Sequence, residues 1–280
     1  MSDTVWSTRR LLRQSGLILF LLLICPLLAW ACKYSVRDVG FVALDSHSYQ
    51  LQLIVSSETS ETLKEKLHSE YAPLLRDTNI ELEVLRENSE ILSTSQTEQK
   101  PDSGKTAAWL IDTFPASSEE SESSFPRRLF LEQVPVEDKA TLSAFLWELS
   151  DSELREKLIA GTLKAHSVLL IIEGTNTEHN ELARKLASQA SDQVKSELPD
   201  LPKPVEFPPE VITLSVNDRE TERILLWSWN IDPEDKDQTY LVPLFGRGRI
   251  LGEPLAVPGI SLTELSTILS YVGQDCECEL

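Results

Sequence analysis

The chain has 280 residues, with 26 Lys+Arg against 45 Asp+Glu and a net charge of −19. An apolar share of 41% and a charged share of 25% suit one or two folded domains and exclude wholesale disorder. A chain this acidic lacks the basic footprint that phosphate backbones require, so no nucleic-acid partner is expected.

Residues Gly16 to Cys32 (GLILFLLLICPLLAWAC) carry no charge and come after Arg9, Arg10 and Arg13. Seventeen uncharged residues lie at the lower limit for crossing a bilayer core of about 30 Å. Basic residues on the N-terminal flank keep that side in the cytoplasm and predict export of the chain on the other side. Residues 1–34 are therefore read as a transmembrane segment or signal anchor. This predicts a single-pass cell-membrane protein with its body outside the cytoplasm. Two other fates fit the same residues. Ala29-Trp30-Ala31 suits signal-peptidase cleavage and release. Leu28-Ala29-Trp30-Ala31-Cys32 resembles a lipobox, which would place lipid on Cys32, although Ala29 stands where that motif prefers Leu. Beyond residue 34 the chain holds 22 basic and 44 acidic residues, a net of −22, so the exported body should stand off an anionic membrane surface.

The elements of residues 35–160 alternate. Tyr49 to Val55 has strand periodicity, Leu63, Leu67, Tyr71 and Leu74 recur at helical spacing, and Ile80 to Val84 alternates again. Ala107–Ile111 and Arg128–Gln133 are further strand candidates. The next element is a helix with Leu142, Phe145, Leu146 and Leu149 inward. Glu87–Lys105 and Pro115–Pro126 are polar, Ser- and acid-rich loops that cannot bury enough apolar surface to offset ordering entropy. Ser150-Asp151-Ser152-Glu153 has capping-box spacing and predicts a short helix ended by Gly161.

Residues 161–280 are more regular. Val168 to Ile172 is a continuous apolar run, as in a strand covered on both faces. A helix through Leu182, Leu186, Ala190, Val194 and Leu198 stops at Pro199. The strand Val211–Val216 comes next. Asn217 and Glu220 favour a helix over Arg219–Trp229, with a strand over Ile224–Trp227 as the alternative. Tyr240–Phe245 and Ile250–Val257 read as a hairpin, and Ser261–Val272 as a closing helix.

This β-α-β-α-β-β-α order, over Ser167 to Val272, resembles the thioredoxin-like fold. Val242-Pro243-Leu244-Phe245 with the next turn, strand and helix is similar to that family's ending, and the resemblance implies a cis proline at Pro243. The family's C-x-x-C is absent, because Gly174-Thr175-Asn176-Thr177 stands where it would open the helix, and without sulfur there is no thiol–disulfide exchange at that position. The expected fold class is α/β, with a thioredoxin-like C-terminal half and a degenerate second copy in the N-terminal half.

Few residues recommend chemistry. Cys276-Glu277-Cys278 could close a strained ring, bind Cu(I) or Zn²⁺ as soft thiolates, or only pin the C-terminus. Gly246-Arg247-Gly248-Arg249 is a basic spot in an acidic half. At strand spacing Arg247 and Arg249 would share a face and could hold a carboxylate or phosphate. The acidic loop Asp232–Asp237 lacks the glycine and distal Glu of an EF-hand. No G-x-S-x-G, H-E-x-x-H or P-loop occurs. The expected function is a non-catalytic, membrane-anchored extracytoplasmic binding or scaffolding protein, partnered with the membrane through its N-terminal helix and with another membrane-protein complex. No cofactor is expected on that reading. The alternative is a thiol-redox or Cu/Zn-handling protein acting through Cys276 and Cys278.

Overall fold

The computed structural model describes residues 34–42, 48–87, 102, 105–113, 126–135, 138–203 and 205–276. The predicted anchor, Cys32, Cys278 and most of the two polar loops lie outside these residues. Among the described residues no helix is long and apolar enough to cross a membrane.

The protein is a mixed α/β structure with two sheets. A helical turn, α1 (Val36–Val39), precedes the first sheet. That sheet is formed by β1 (Tyr49–Val55), β2 (Ile80–Arg86), β3 (Lys105–Asp112) and β4 (Arg128–Pro135), in the order β2-β1-β3-β4. α2 (Glu61–Tyr71) connects β1 to its parallel neighbour β2, while β3 and β4 run antiparallel. α3 (Lys139–Ser150) and α4 (Glu153–Lys164) come next.

The second sheet contains β5 (Val168–Ile172), β6 (Glu210–Leu214), β7 (Thr239–Phe245), β8 (Arg249–Ile250) and β9 (Leu255–Val257). Its order is β6-β5-β7, with β8 and β9 both paired to β7. α5 (Thr177–Glu197) crosses from β5 to the parallel β6, α6 (Arg223–Ser228) precedes the antiparallel β7, and α7 (Leu262–Tyr271) closes the chain. Both sheets thus place a parallel β-α-β pair beside antiparallel strands in the same spatial order.

Burial explains the different textures of the strands. Leu169 and Ile171 face a cluster with Ala183, Ala187, Ala190 and Val194 of α5 and Leu265 and Leu269 of α7. Val168, Leu170 and Ile172 face the opposite cluster, with Leu158 of α4 and Leu226 of α6. Both faces of β5 are covered, so every residue is apolar. In the first sheet the main core lies on one face, where Leu51, Leu53 and Val55 meet Leu67, Leu142, Phe145 and Leu146. Among the described residues, the other face carries a small cluster of Ile54, Leu85 and Ala107 with Trp109 and Phe130 packed on it, and β2 alternates with exposed or half-exposed Glu81 and Glu83.

Several boundaries differ from the sequence-based expectation. α4 runs through Gly161 to Lys164. That glycine is a packing site, since a Cβ there would lie 2.7 Å from Val168 Cγ2. Chain order and packing unit part company here, because Leu154 and Leu158 of α4 join the core of the second sheet. The segment Arg219–Glu222 forms turns, and α6 begins only at Arg223. The long second strand of the predicted hairpin is two short ones, β8 and β9.

α6 joins the two units. Leu226 is buried in the core of the second sheet, and its neighbour Trp227 in the core of the first. Trp227 meets Tyr49 at 5.7 Å between ring centroids, and the Arg127 guanidinium lies 4.6 Å from the Trp227 ring while donating to its carbonyl. Arg223 donates to the carbonyl of Leu131 in β4, and Arg155 pairs with the buried Glu222 at 3.4 Å. Trp227→Ala should lower stability by about 3–5 kcal/mol and separate the unfolding of the two units. Urea unfolding followed both by circular dichroism and by tryptophan fluorescence will read both effects.

Candidate functional site

On the thioredoxin-like expectation a reactive helix end comes directly after β5. Here that position is closed by the protein's own loops. Asn176 caps α5, its side chain accepting from the backbone of Glu178 and His179. Gly174 N–H donates to Asn180 Oδ1 at 3.0 Å and to Thr239 Oγ1 at 3.2 Å, and Asn180 Nδ2 returns a bond to Gly174 O at 2.8 Å. The Thr175 hydroxyl donates to Asp237 Oδ1 at 2.8 Å, and its N–H to Lys236 O at 2.9 Å. A Cβ on Gly174 would lie 2.6 Å from Asp237 O, so this loop contact itself requires glycine.

The acidic loop Asp232–Asp237 is therefore a cover with no cation-binding geometry of its own. Asp232 and Asp235 accept from backbone N–H groups two residues on, at 3.0 Å each. Arg219, fully buried, donates to the carbonyls of Asp235 (2.7 Å), Gln238 (3.1 Å) and Glu173 (3.4 Å) and ties the loop to the end of β5. Burial lowers its pKa from the usual value, with Tyr240 and the nearby aspartates acting the other way. Sequence reasoning missed Arg219, because its role is defined by carbonyl groups that no side-chain pattern announces.

Pro243 is a correction. The peptide before it is trans, and among the described residues the cis bond is Val257–Pro258. Pro243 lies within β7, opposite Leu169. On the far side of β7, β9 covers Thr239–Leu241 and β8 covers Leu244–Phe245. Its carbonyl accepts from Leu251 on that side, so its missing N–H falls at the gap between two short partner strands and costs no ladder bond.

Arg247 and Arg249 are a second correction. Gly246–Gly248 form the turn, so the two guanidiniums share no strand face. Arg249 donates to Val42 O at 2.8 Å, and Arg247 N–H to Gly40 O at 3.1 Å. The glycines serve this docking. Gly246 has φ +58°, and a Cβ there would lie 2.3 Å from Gly40 backbone atoms. The hairpin is a receptor for the segment Tyr34–Val42.

The same segment reaches the C-terminal tail. Val36 N–H donates to Gln274 O and Cys276 N–H to Tyr34 O, both at 2.9 Å, and Ser35 pairs with Asp275. Arg37 donates to the carbonyls of Ala165, Thr162 and Leu163 at the end of α4. Asp38 completes a capping box with Ser35 and pairs with Lys203 at 2.7 Å. Burial opposes the Asp38 charge, but Lys203 and Ser35 outweigh it and hold the carboxyl below the ordinary carboxylate range. The Ser35-x-x-Asp38 spacing was a readable signal for α1; the site where it docks was not. Cys276 is half-buried at this seam, and Cys278 lies outside the described residues.

Two open depressions occupy matching places in the two units, each between the crossing helix and the edge of the parallel pair. One, of about 410 Å³, is lined by Glu61, Glu65 and His68 of α2 and Glu83 of β2. The other, of about 320 Å³, is lined by Arg184 and Asp192 of α5 and Thr213 of β6. Among the described residues no three His, Cys, Asp or Glu side chains gather as a metal site.

No family model and no curated protein matches the chain. Similar solved structures include two pairs of thioredoxin domains and a domain of a reductase. The first two thioredoxin domains of Saccharomyces cerevisiae Eps1p are 12% identical, with 79% of this chain and 90% of that chain covered and a TM-score of 0.27. The same domains of Naumovozyma dairenensis Eps1p are 13% identical, with 81% and 91% covered and a TM-score of 0.24. The NTD_N/C domain of the alkylhydroperoxide reductase AhpF from Enterococcus faecalis is 12% identical, with 80% and 91% covered and a TM-score of 0.23.

His166 is fully buried beside the seam between the docked segment and the tail, with its Nδ1 3.3 Å from Ser167 Oγ and no hydrogen-bond partner for Nε2. Burial, helped by Arg37 and opposed by Glu197, lowers its pKa from 6.5 to about 4. The ring is neutral in the fold, and the unfolded chain binds a proton more readily. This stability is present above pH 6.5 and is lost as pH falls from 6.5 towards about 4, by about 3 kcal/mol in total. His166→Gln should flatten that part of the stability–pH curve, measured by urea unfolding at pH 7 and pH 5.

Proposed function

We propose that the protein is a non-catalytic, membrane-anchored extracytoplasmic binding or scaffolding protein, built from two thioredoxin-like units of which the first is a degenerate copy. The observation that supports this most directly is the closed end of β5. Gly174, Thr175 and Asn176 spend their polar groups on Asn180, Thr239, Lys236, Asp237 and the first turn of α5. No side chain there is left to act as a nucleophile. Fold alone does not carry activity, and a site without its reactive groups leaves the scaffold as a recognition surface.

The face for recognition is α4. Ile159 and Leu163 stand one turn apart on this helix, 50% and 59% exposed, and Phe207, 37% exposed, lies by its C-terminal end under Lys164. Trp147 on the preceding helix is 65% exposed. Such apolar anchors on a strongly acidic body suit a protein partner, which would be another membrane-protein complex.

The test uses the full chain in its native membranes. Wild type should migrate on native gels within a larger assembly and catalyse no insulin reduction above the background of the added thiol. Ile159→Glu/Leu163→Glu should weaken that association by about tenfold or more while leaving the circular dichroism unchanged. Migration of the wild type as a lone chain would reject the scaffold reading. So would reductase turnover lost in Cys276→Ser/Cys278→Ser.

A further inference from the structure

β6 lies at one edge of the second sheet, paired on one side with β5. Glu210 N–H donates to Ser167 O, and Leu214 O accepts from Glu173 N–H. Glu210, Ile212 and Leu214 thus address β5, and by alternation Val211 and Thr213 turn their N–H and C=O groups outward. Among the described residues no strand meets those groups. The side chains along this stretch are uncharged: Val211 is 39% exposed, Thr213 is exposed and Ile212 is half-buried. Glu210 lies back against α4, where a Cβ on Gly161 would stand 3.0 Å from its Oε2. The corresponding edge of the first sheet, β2, is blunted by Glu81 and Glu83, as protected edges are. The depression of about 320 Å³ runs between the β6 edge and α5. α5 is antiparallel to β6. The Ser191 hydroxyl donates to Pro209 O at 2.7 Å, while Arg184 pairs with Glu173 at the other end of the strand. Ser188 therefore stands about level with Ile212, with Arg184 and Asp192 four residues to either side on the same exposed stripe. The Asp192 carboxylate makes no ion pair among the described residues.

We propose that this edge is the interface of a homodimer, in which β6 pairs antiparallel with β6 of a second copy about a two-fold axis through Ile212. In that register Val211 faces Thr213 of the second copy, and each such pair exchanges two N–H···O bonds, so the outward groups of both strands are satisfied. Ile212 faces Ile212 as a close, non-hydrogen-bonded pair. Glu210 faces Leu214, so no like charges stand opposite each other. The same axis carries Arg184 of one α5 towards Asp192 of the other, and the reverse, because both lie four residues from the level of the axis. One patch thus supplies both halves of its own complement, as an isologous interface requires. An extended peptide from another protein would use the same backbone groups, but it would leave the paired Arg184 and Asp192 without a role. The dimer goes beyond the scaffold reading, which rests on Ile159 and Leu163 of α4.

The full chain, purified in density-matched detergent, is followed by sedimentation velocity over a range of concentrations. Wild type should sediment as a dimer. Thr213→Pro removes an outward N–H and leaves the bonds to β5 in place, so it should raise the dimer Kd about tenfold or more with unchanged circular dichroism. Asp192→Arg should weaken the dimer, and Arg184→Glu/Asp192→Arg should recover it; this exposed pair decides the matter even if Thr213→Pro fails to fold. Ile159→Glu/Leu163→Glu should leave the dimer intact, which separates this interface from the face of the scaffold reading. With the four native cysteines replaced by serine, Ile212→Cys should cross-link two copies on mild oxidation, and Val211→Cys, two residues out of register with itself, should not. A monomeric wild type, a dimer indifferent to both Thr213→Pro and Asp192→Arg, or equal cross-linking of the two cysteine variants would each overturn the proposal.

Discussion

The docking of Tyr34–Val42 onto the second unit is the contact on which the rest of the architecture depends. It is made by backbone, by the guanidiniums of Arg37 and Arg249, and by the Asp38–Lys203 pair. Carbonyl oxygens at the end of α4 accept from Arg37, the tail pairs with residues 34–36, and two glycines permit the chain to pass within van der Waals distance of the β7–β8 turn. A helix end left without donors is costly, and this one is satisfied by a residue more than 120 positions away in sequence. His166 stays neutral because this seam seals it from water. The segment that enters the body therefore starts at the second unit, even though the first unit comes after it in the chain.

The closed end of β5 separates what builds the fold from what closes the loop. The strand, the cap on α5 and the parallel partner depend on hydrophobic burial and on Asn176. The loop above them is held by its own hydrogen bonds. Arg219 beneath that loop organises three carbonyls that would otherwise need water. A guanidinium offers five donors in a rigid fork, which suits a junction where several carbonyls converge.

Much of this was legible in the sequence, for identifiable reasons. The continuous run Val168–Ile172 reads as a strand covered on both faces, and Tyr49–Val55 carried strand periodicity at its observed limits. α5 was readable from Leu186, Ala190 and Val194, although Leu182 at its start is 36% exposed. Pattern failed where one residue type serves two purposes. Gly161 looked like a stop but makes room for Val168. Pro243 looked like the cis proline of the thioredoxin-like ending, but its peptide is trans and it sits at a gap in the ladder. Arg249 looked like an anion ligand but binds a carbonyl of residue 42. Contacts of backbone with distant backbone leave almost no trace in composition, so the docking of Tyr34–Val42 was beyond reach until the strands were in place.

The charge of the chain acquires a structural meaning from these arginines. Arg37, Arg127, Arg155, Arg219, Arg223 and Arg249 each donate to backbone carbonyls, most of them between distant segments. These arginines are thus drawn into joints, while acidic residues such as Glu61, Glu153 and Glu220 remain on exposed faces. With a net charge of −19, the chain carries a negative field around it. Under the proposed binding role, a partner would bring either positive charge or an apolar surface to this field, and the exposed, uncharged side chains of Ile159 and Leu163 on α4 would let it approach without desolvating a carboxylate.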